Sequence, residues 1–79
     1  MNFELEIHEL DPMKNKVVWR QLIQASTVDA ENYEEALKRA KEELRQINKK
    51  FKKDWENDEA ELGISLPQSK CVITKLKAI

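Results

Sequence analysis

One glycine, one cysteine, one histidine and two prolines are all that this 79-residue chain holds of those types. Each scarcity excludes something. A single glycine cannot build the glycine-rich loop that wraps a phosphate in backbone amides. A lone cysteine, Cys71, excludes an internal disulfide and a zinc site made of cysteines, which needs several thiolates at fixed spacing. No apolar run approaches the roughly 20 residues of a membrane span. The opening Met1-Asn2-Phe3-Glu4 has no basic segment followed by an apolar one, so no secretory signal is expected. With a free thiol, the cytoplasm is then the expected compartment. A surplus of one sign is missing too: 14 basic against 15 acidic side chains leave a net charge of -1.

What remains is a single-domain length. A chain this short buries only about 60% of the surface its unfolded form exposes, so a staple or a partner subunit often supports such a domain. Charged residues make up 37% of the sequence, but the hydrophobic 41% is enough for a folded core.

Residues 2–10 alternate, with Phe3, Leu5 and Ile7 on one side and Glu4, Glu6 and His8 on the other, the period of a half-buried strand. Asp11-Pro12 opens a polar turn. Residues 16–25, rich in β-branched and aromatic side chains, predict a second strand in a hairpin with the first, continuing weakly to Val28. Its alternation is imperfect: Val17, Trp19 and Ile23 fall on one face, Val18 and Leu22 on the other. A bulge or burial of both faces would explain that.

Asn32-Tyr33-Glu34-Glu35 fits a helix capping box, with Asn32 as N-cap. Tyr33, Leu37, Ala40, Leu44, Ile47, Phe51 and Trp55 then recur as one apolar stripe. A helix over 32–56 is expected. It extends to 62 if Gly63 is its stop and breaks earlier if Asn57-Asp58 interrupts it. Residues 70–77 predict a third strand. The fold class is therefore α+β, in the order β-β-α-β, with one long helix on one face of the sheet. A mainly antiparallel sheet in the order 2-1-3 is the expectation; a parallel pairing beside the second strand, with the helix as crossover, is the other solution. Thirty residues of helix span about 45 Å, whereas a nine-residue strand spans about 30 Å, so a helix reaching Gly63 would outrun its sheet.

Charge is segregated along the chain. Residues 38–53 hold eight bases and two acids, and residues 54–61 hold five acids and no base. Lys41, Arg45, Lys49 and Lys53 repeat every fourth residue. A basic helical stripe of this kind can follow a phosphate backbone. It can equally be a solvated helix face, steadied by Glu34–Lys38 and Glu35–Arg39 pairs and by acids first, bases later along the helix dipole. The acidic run that follows would repel a nucleic acid.

Catalytic groups are sparse. His8 reads as an exposed strand residue and Cys71 as a buried structural thiol, with His8 its only possible partner. Adjacent carboxylates such as Glu42-Glu43 diverge on a helix. No catalytic residue, metal or cofactor is expected, and an enzyme is not. Trp19 and Tyr33 read as core. Phe51, Trp55 and Leu62 lie on the overhang, where they would form a protein interface unless Leu62, Ile64 and Leu66 fold back over Phe51 and Trp55.

The junction from Val28 to Ala40, Val-Asp-Ala-Glu-Asn-Tyr-Glu-Glu-Ala-Leu-Lys-Arg-Ala, resembles small phage, plasmid and antitoxin proteins, HicB-type antitoxins among them. In these a β-hairpin feeds a helix that opens with paired glutamates and alanines. The resemblance implies a bacterial or phage accessory protein. It transfers no functional residue, because the glycine-containing hairpin and the toxin-binding motif are missing. The sequence thus predicts a small non-enzymatic protein-binding module, an accessory factor or inhibitor whose partner could be a second copy. Nucleic-acid binding through the basic stripe is the alternative, and no membrane is involved.

Overall fold

The computed structural model describes residues 1–65 and 67–79. Strand β1 spans Asn2–Asp11, β2 Lys16–Asp29, helix α1 Tyr33–Leu62 and β3 Lys70–Ala78. The sheet runs β2-β1-β3 with both pairings antiparallel. The order follows from the helix: α1 carries the chain back across the sheet, so β3 enters antiparallel to β1 and takes its free edge. That removes the parallel alternative.

The inward face is the one the alternation marked. Phe3, Leu5 and Ile7 are buried against Val28, Ala30, Cys71 and the helix residues Ala36 and Ala40, with Leu44, Ile47 and Phe51 packed on that cluster. The two alanines are the fully buried helix positions. Small side chains there let α1 approach the strands closely, and it lies mainly along β3.

Both sheet pairings slip by at least one residue. Opposite β2, the register shifts between Ile7 and His8 and again between His8 and Leu10; opposite β3 it shifts between Glu6 and Ile7. These bulges account for the irregular alternation of β2. Ile23 packs into the core, while Leu22 pairs with His8 on the face away from the helix. Trp19 and Ile23 therefore do not share a face as their spacing suggested. Trp19 is 69% exposed and Tyr33 53% exposed, so neither is the core residue the sequence predicted. Tyr33 meets Phe3 edge-on at the rim, with ring centroids 6.3 Å apart.

The helix is one piece. Asn32 accepts the Glu35 backbone N–H at 2.9 Å, and the Glu35 carboxylate reaches back to the Glu31 N–H at 3.4 Å. No break occurs at Asn57-Asp58. The helix stops where Gly63, at φ 67°, adopts the left-handed conformation and donates its N–H to the Glu59 carbonyl at 2.9 Å. The last turn then contains no base, only Glu59 and Glu61 beside negative helix carbonyls. The acids-first, bases-later pattern thus suits the helix dipole over the first turns and opposes it at the end. The molecule measures 47 × 20 × 16 Å, its long dimension close to the length of the helix.

One polar residue seals an edge. The Asn48 side chain accepts the Cys71 backbone N–H at 2.7 Å and donates to the Cys71 carbonyl at 3.2 Å. It stands in for a neighbouring strand at the outer side of β3, which would otherwise present unpaired backbone groups.

Candidate protein interface

The chemistry-bearing residues are kept apart. Cys71 pairs with Glu9 in β1 and points into the core under the helix. Burial first, and then the nearby Glu9 carboxylate, push its thiol up to about 11. Such a thiol is neutral and inert at neutral pH. His8 lies on the opposite face of the sheet, so the single histidine cannot activate the single cysteine.

His8 is not the exposed residue its strand position suggested: it is 6% exposed. Trp19 meets its ring edge-on at 5.1 Å between centroids, and its Nδ1 is bonded to the Thr74 hydroxyl. That hydroxyl donates to the Glu6 carbonyl at 3.2 Å. With its one proton used there, Thr74 receives the proton of His8 Nδ1. This is a satisfied structural histidine, placed by the bulge at Thr74, which sequence periodicity cannot reveal.

The face away from the helix divides in two. Near the chain ends it is a charge ladder: Lys75 Nζ lies 3.1 Å from Glu4 and 3.7 Å from Glu6. Glu4 first, and Glu6 less, hold the Lys75 ammonium above its ordinary value. Toward the hairpin the same face turns apolar, with Trp19 and Leu22 exposed.

The basic stripe is exposed along its length. Each helical step of four residues overshoots a full turn by about 40°, so three steps carry Lys41, Arg45, Lys49 and Lys53 about 120° around the axis. They do not form one flat face. Arg45 is tied to Glu42 at 2.7 Å, which raises the Arg45 value and lowers that of Glu42. Of the two ion pairs expected from spacing, Glu35–Arg39 forms at 2.9 Å; Glu34–Lys38 does not form among the described residues.

The distal helix is not covered in the way the fold-back scheme required. Leu62 and Ile64 do not fold back over it; they are 62% and 56% exposed. Leu66, the third residue expected to help, lies outside the described residues. Phe51 and Trp55 are half-buried and line a cleft of about 380 Å³ with Pro67 of the connector. Asp54 and Asp58 from the helix, Glu9 from β1 and Ser69 just before β3 complete the lining. The three candidate interface residues, Phe51, Trp55 and Leu62, thus lie along one stretch of helix, the first two in a cleft and the third on the open tip. Sequence reading missed Asp54, Asp58 and Glu9 as part of this region. The first two share the helical face of Phe51, a signal present in their spacing, but nothing in the spacing brings Glu9 to them.

No family model, curated protein or solved structure matches this chain.

Proposed function

We propose that this protein is a small non-enzymatic binding module that acts through protein–protein contacts made by the distal part of α1. One observation carries the reading. The helix continues eleven residues past Phe51, its last residue packed on the core cluster, about three turns or 16 Å. It ends with Leu62 and Ile64 exposed beside each other. Apolar side chains held out on a rigid element, next to a cleft with an aromatic floor, are what a partner protein buries. An accessory or inhibitor role in a bacterium or phage is the setting this reading takes from the junction that resembles antitoxin-type proteins, and the cytoplasm is taken from the free thiol and the absence of a recognisable signal.

The nucleic-acid alternative has less support. The basic stripe winds around the helix, part of it is neutralised by Glu42, and an acidic segment follows it.

The test pairs light scattering with affinity capture from the native host. Wild type is compared with a Leu62→Asp, Ile64→Asp double variant, which alters only exposed positions and leaves the fold intact. A stoichiometric partner, or a dimer, that is present with wild type and lost with the variant is the expected result. A strict monomer at high micromolar concentration that captures the same proteins as the double variant would overturn the proposal.

A further inference from the structure

The distal cleft has an unusual combination of floor and walls. On the inward side of α1, Leu44, Ile47 and Phe51 pack on the core. One and two turns later the same side carries Asp54 and Asp58, with Trp55 beside them. Glu9 reaches the cleft from β1, where alternation puts it on the helix side, opposite Cys71. Three acidic residues therefore line one concavity. No lysine or arginine pairs with any of them among the described residues; the ion pairs there engage Asp29, Glu35, Glu42, Glu4 and Glu6 instead. The nearest bases along the helix, Lys52 and Lys53, are exposed to solvent. Asp54 and Asp58 are exposed and Glu9 is half-buried, so their negative charge is open to an incoming cation.

We propose that this cleft receives a lysine or arginine side chain from a segment of a partner protein, held between Trp55 and Phe51 and the carboxylates of Asp54, Asp58 and Glu9. The inference rests on the protein-binding reading above and names the chemistry of the partner. Charge complementarity supplies the attraction. The aromatic rings supply faces over which an ammonium or guanidinium binds, with arginine favoured because its flat group also stacks. The volume of about 380 Å³ admits one long side chain rather than a folded element. The described residues contain no group of ligands set to hold a metal ion. Exposed Leu62 at the end of the helix and Ile64 just past it give the apolar neighbours of that side chain a place to lie, which favours a peptide segment over a free amine.

A Trp19→Phe variant leaves Trp55 as the only tryptophan and makes its emission a reporter. Three blocked probes are titrated: Leu-Arg-Leu-Arg-Leu, the neutral Leu-Gln-Leu-Gln-Leu, and arginine amide alone, with backbone amide shifts followed by NMR. The arginine peptide is expected to bind saturably and to shift the amides of residues 54–58. Its affinity should fall with added salt, because the Debye length shortens from about 10 Å at 0.1 M to about 3 Å at 1 M. Asp54→Asn with Asp58→Asn should weaken it about tenfold or more while the thermal melt stays unchanged. Equal binding of the glutamine peptide, unaffected by that double variant, would overturn the cation inference and leave the protein-binding reading standing. Arginine amide binding as tightly as the peptide would overturn the partner-segment assignment in favour of a free organic cation. A salt-sensitive dimer in place of a peptide response would also overturn it, assigning the cleft to a second copy. If no probe binds and the Leu62→Asp, Ile64→Asp variant captures what wild type captures, both readings fall.

Discussion

Asn48→Ala tests whether a side chain closes the outer edge of the sheet. Asn48 makes two hydrogen bonds to the backbone of Cys71, at 2.7 and 3.2 Å, joining the middle of α1 to β3. Each such bond is worth about 1 to 1.5 kcal/mol net, so losing both costs roughly 2 to 3 kcal/mol. The alanine recovers about 0.6 kcal/mol through its better helix propensity. The net loss expected is therefore about 1.5 to 2.5 kcal/mol. A domain of this length is stabilised by only about 4 to 12 kcal/mol in total, so the change is a substantial fraction. At about 4 to 8 °C per kcal/mol, the melting temperature should fall by roughly 6 to 20 °C. Urea melts followed by circular dichroism give the free energy, and amide exchange at Cys71 gives the local effect. Lys49→Ala, one residue on and exposed, is the control that keeps the edge bonds. A loss under about 0.5 kcal/mol, with Cys71 exchange still slow, would refute the claim that Asn48 seals the strand.

Two further outcomes follow from the same structure. Gly63→Ala puts a Cβ at φ 67°, where open space rather than a clash surrounds it, so only the left-handed backbone conformation is penalised. About 1 kcal/mol of local strain should speed amide exchange in the last helical turn about fivefold with little change in the global melt. Unchanged exchange at Gly63 would mean that the cap does not set the helix end. Cys71 should resist alkylation near neutral pH in the folded protein and react once urea unfolds it. Its thiol, ordinarily at 9.0, is raised to about 11 in the fold. The folded state thus keeps its proton while the unfolded state loses it, so stability is full below pH 9 and declines as pH rises from there toward 11. A Cys71→Ala variant should lack that alkaline decline, and an identical pH profile for the two proteins would contradict the assignment.

Much of this architecture was legible from spacing. The alternation of Phe3, Leu5 and Ile7 identified the inward face of β1, and Asn32 marked the start of the helix, because caps act through neighbouring backbone groups; Gly63 was one of two stops the spacing left open, and the structure chose it. The misreadings cluster at the bulges. Trp19 was assigned from an uninterrupted period of two, and a slip of one residue reverses which face a strand residue takes. The register shifts in β2 therefore put Trp19 on the face away from the helix, where it and Thr74 cover His8, which keeps the face its alternation assigned.

By itself, the sequence determined local matters: which segments are strands, where the helix begins, that the chain cannot build a disulfide or a phosphate loop, and that its charge is segregated. Those depend on residues within a few positions of one another. The tertiary structure alone decided the rest. It placed β3 beside β1, set Asn48 against the backbone of Cys71, put the lone histidine and cysteine on opposite faces, and brought Glu9 to a cleft with Asp54 and Asp58. Each of these joins residues more than twenty positions apart. Such meetings depend on the direction in which the helix crosses the sheet and on where the strands slip, and no local pattern records either.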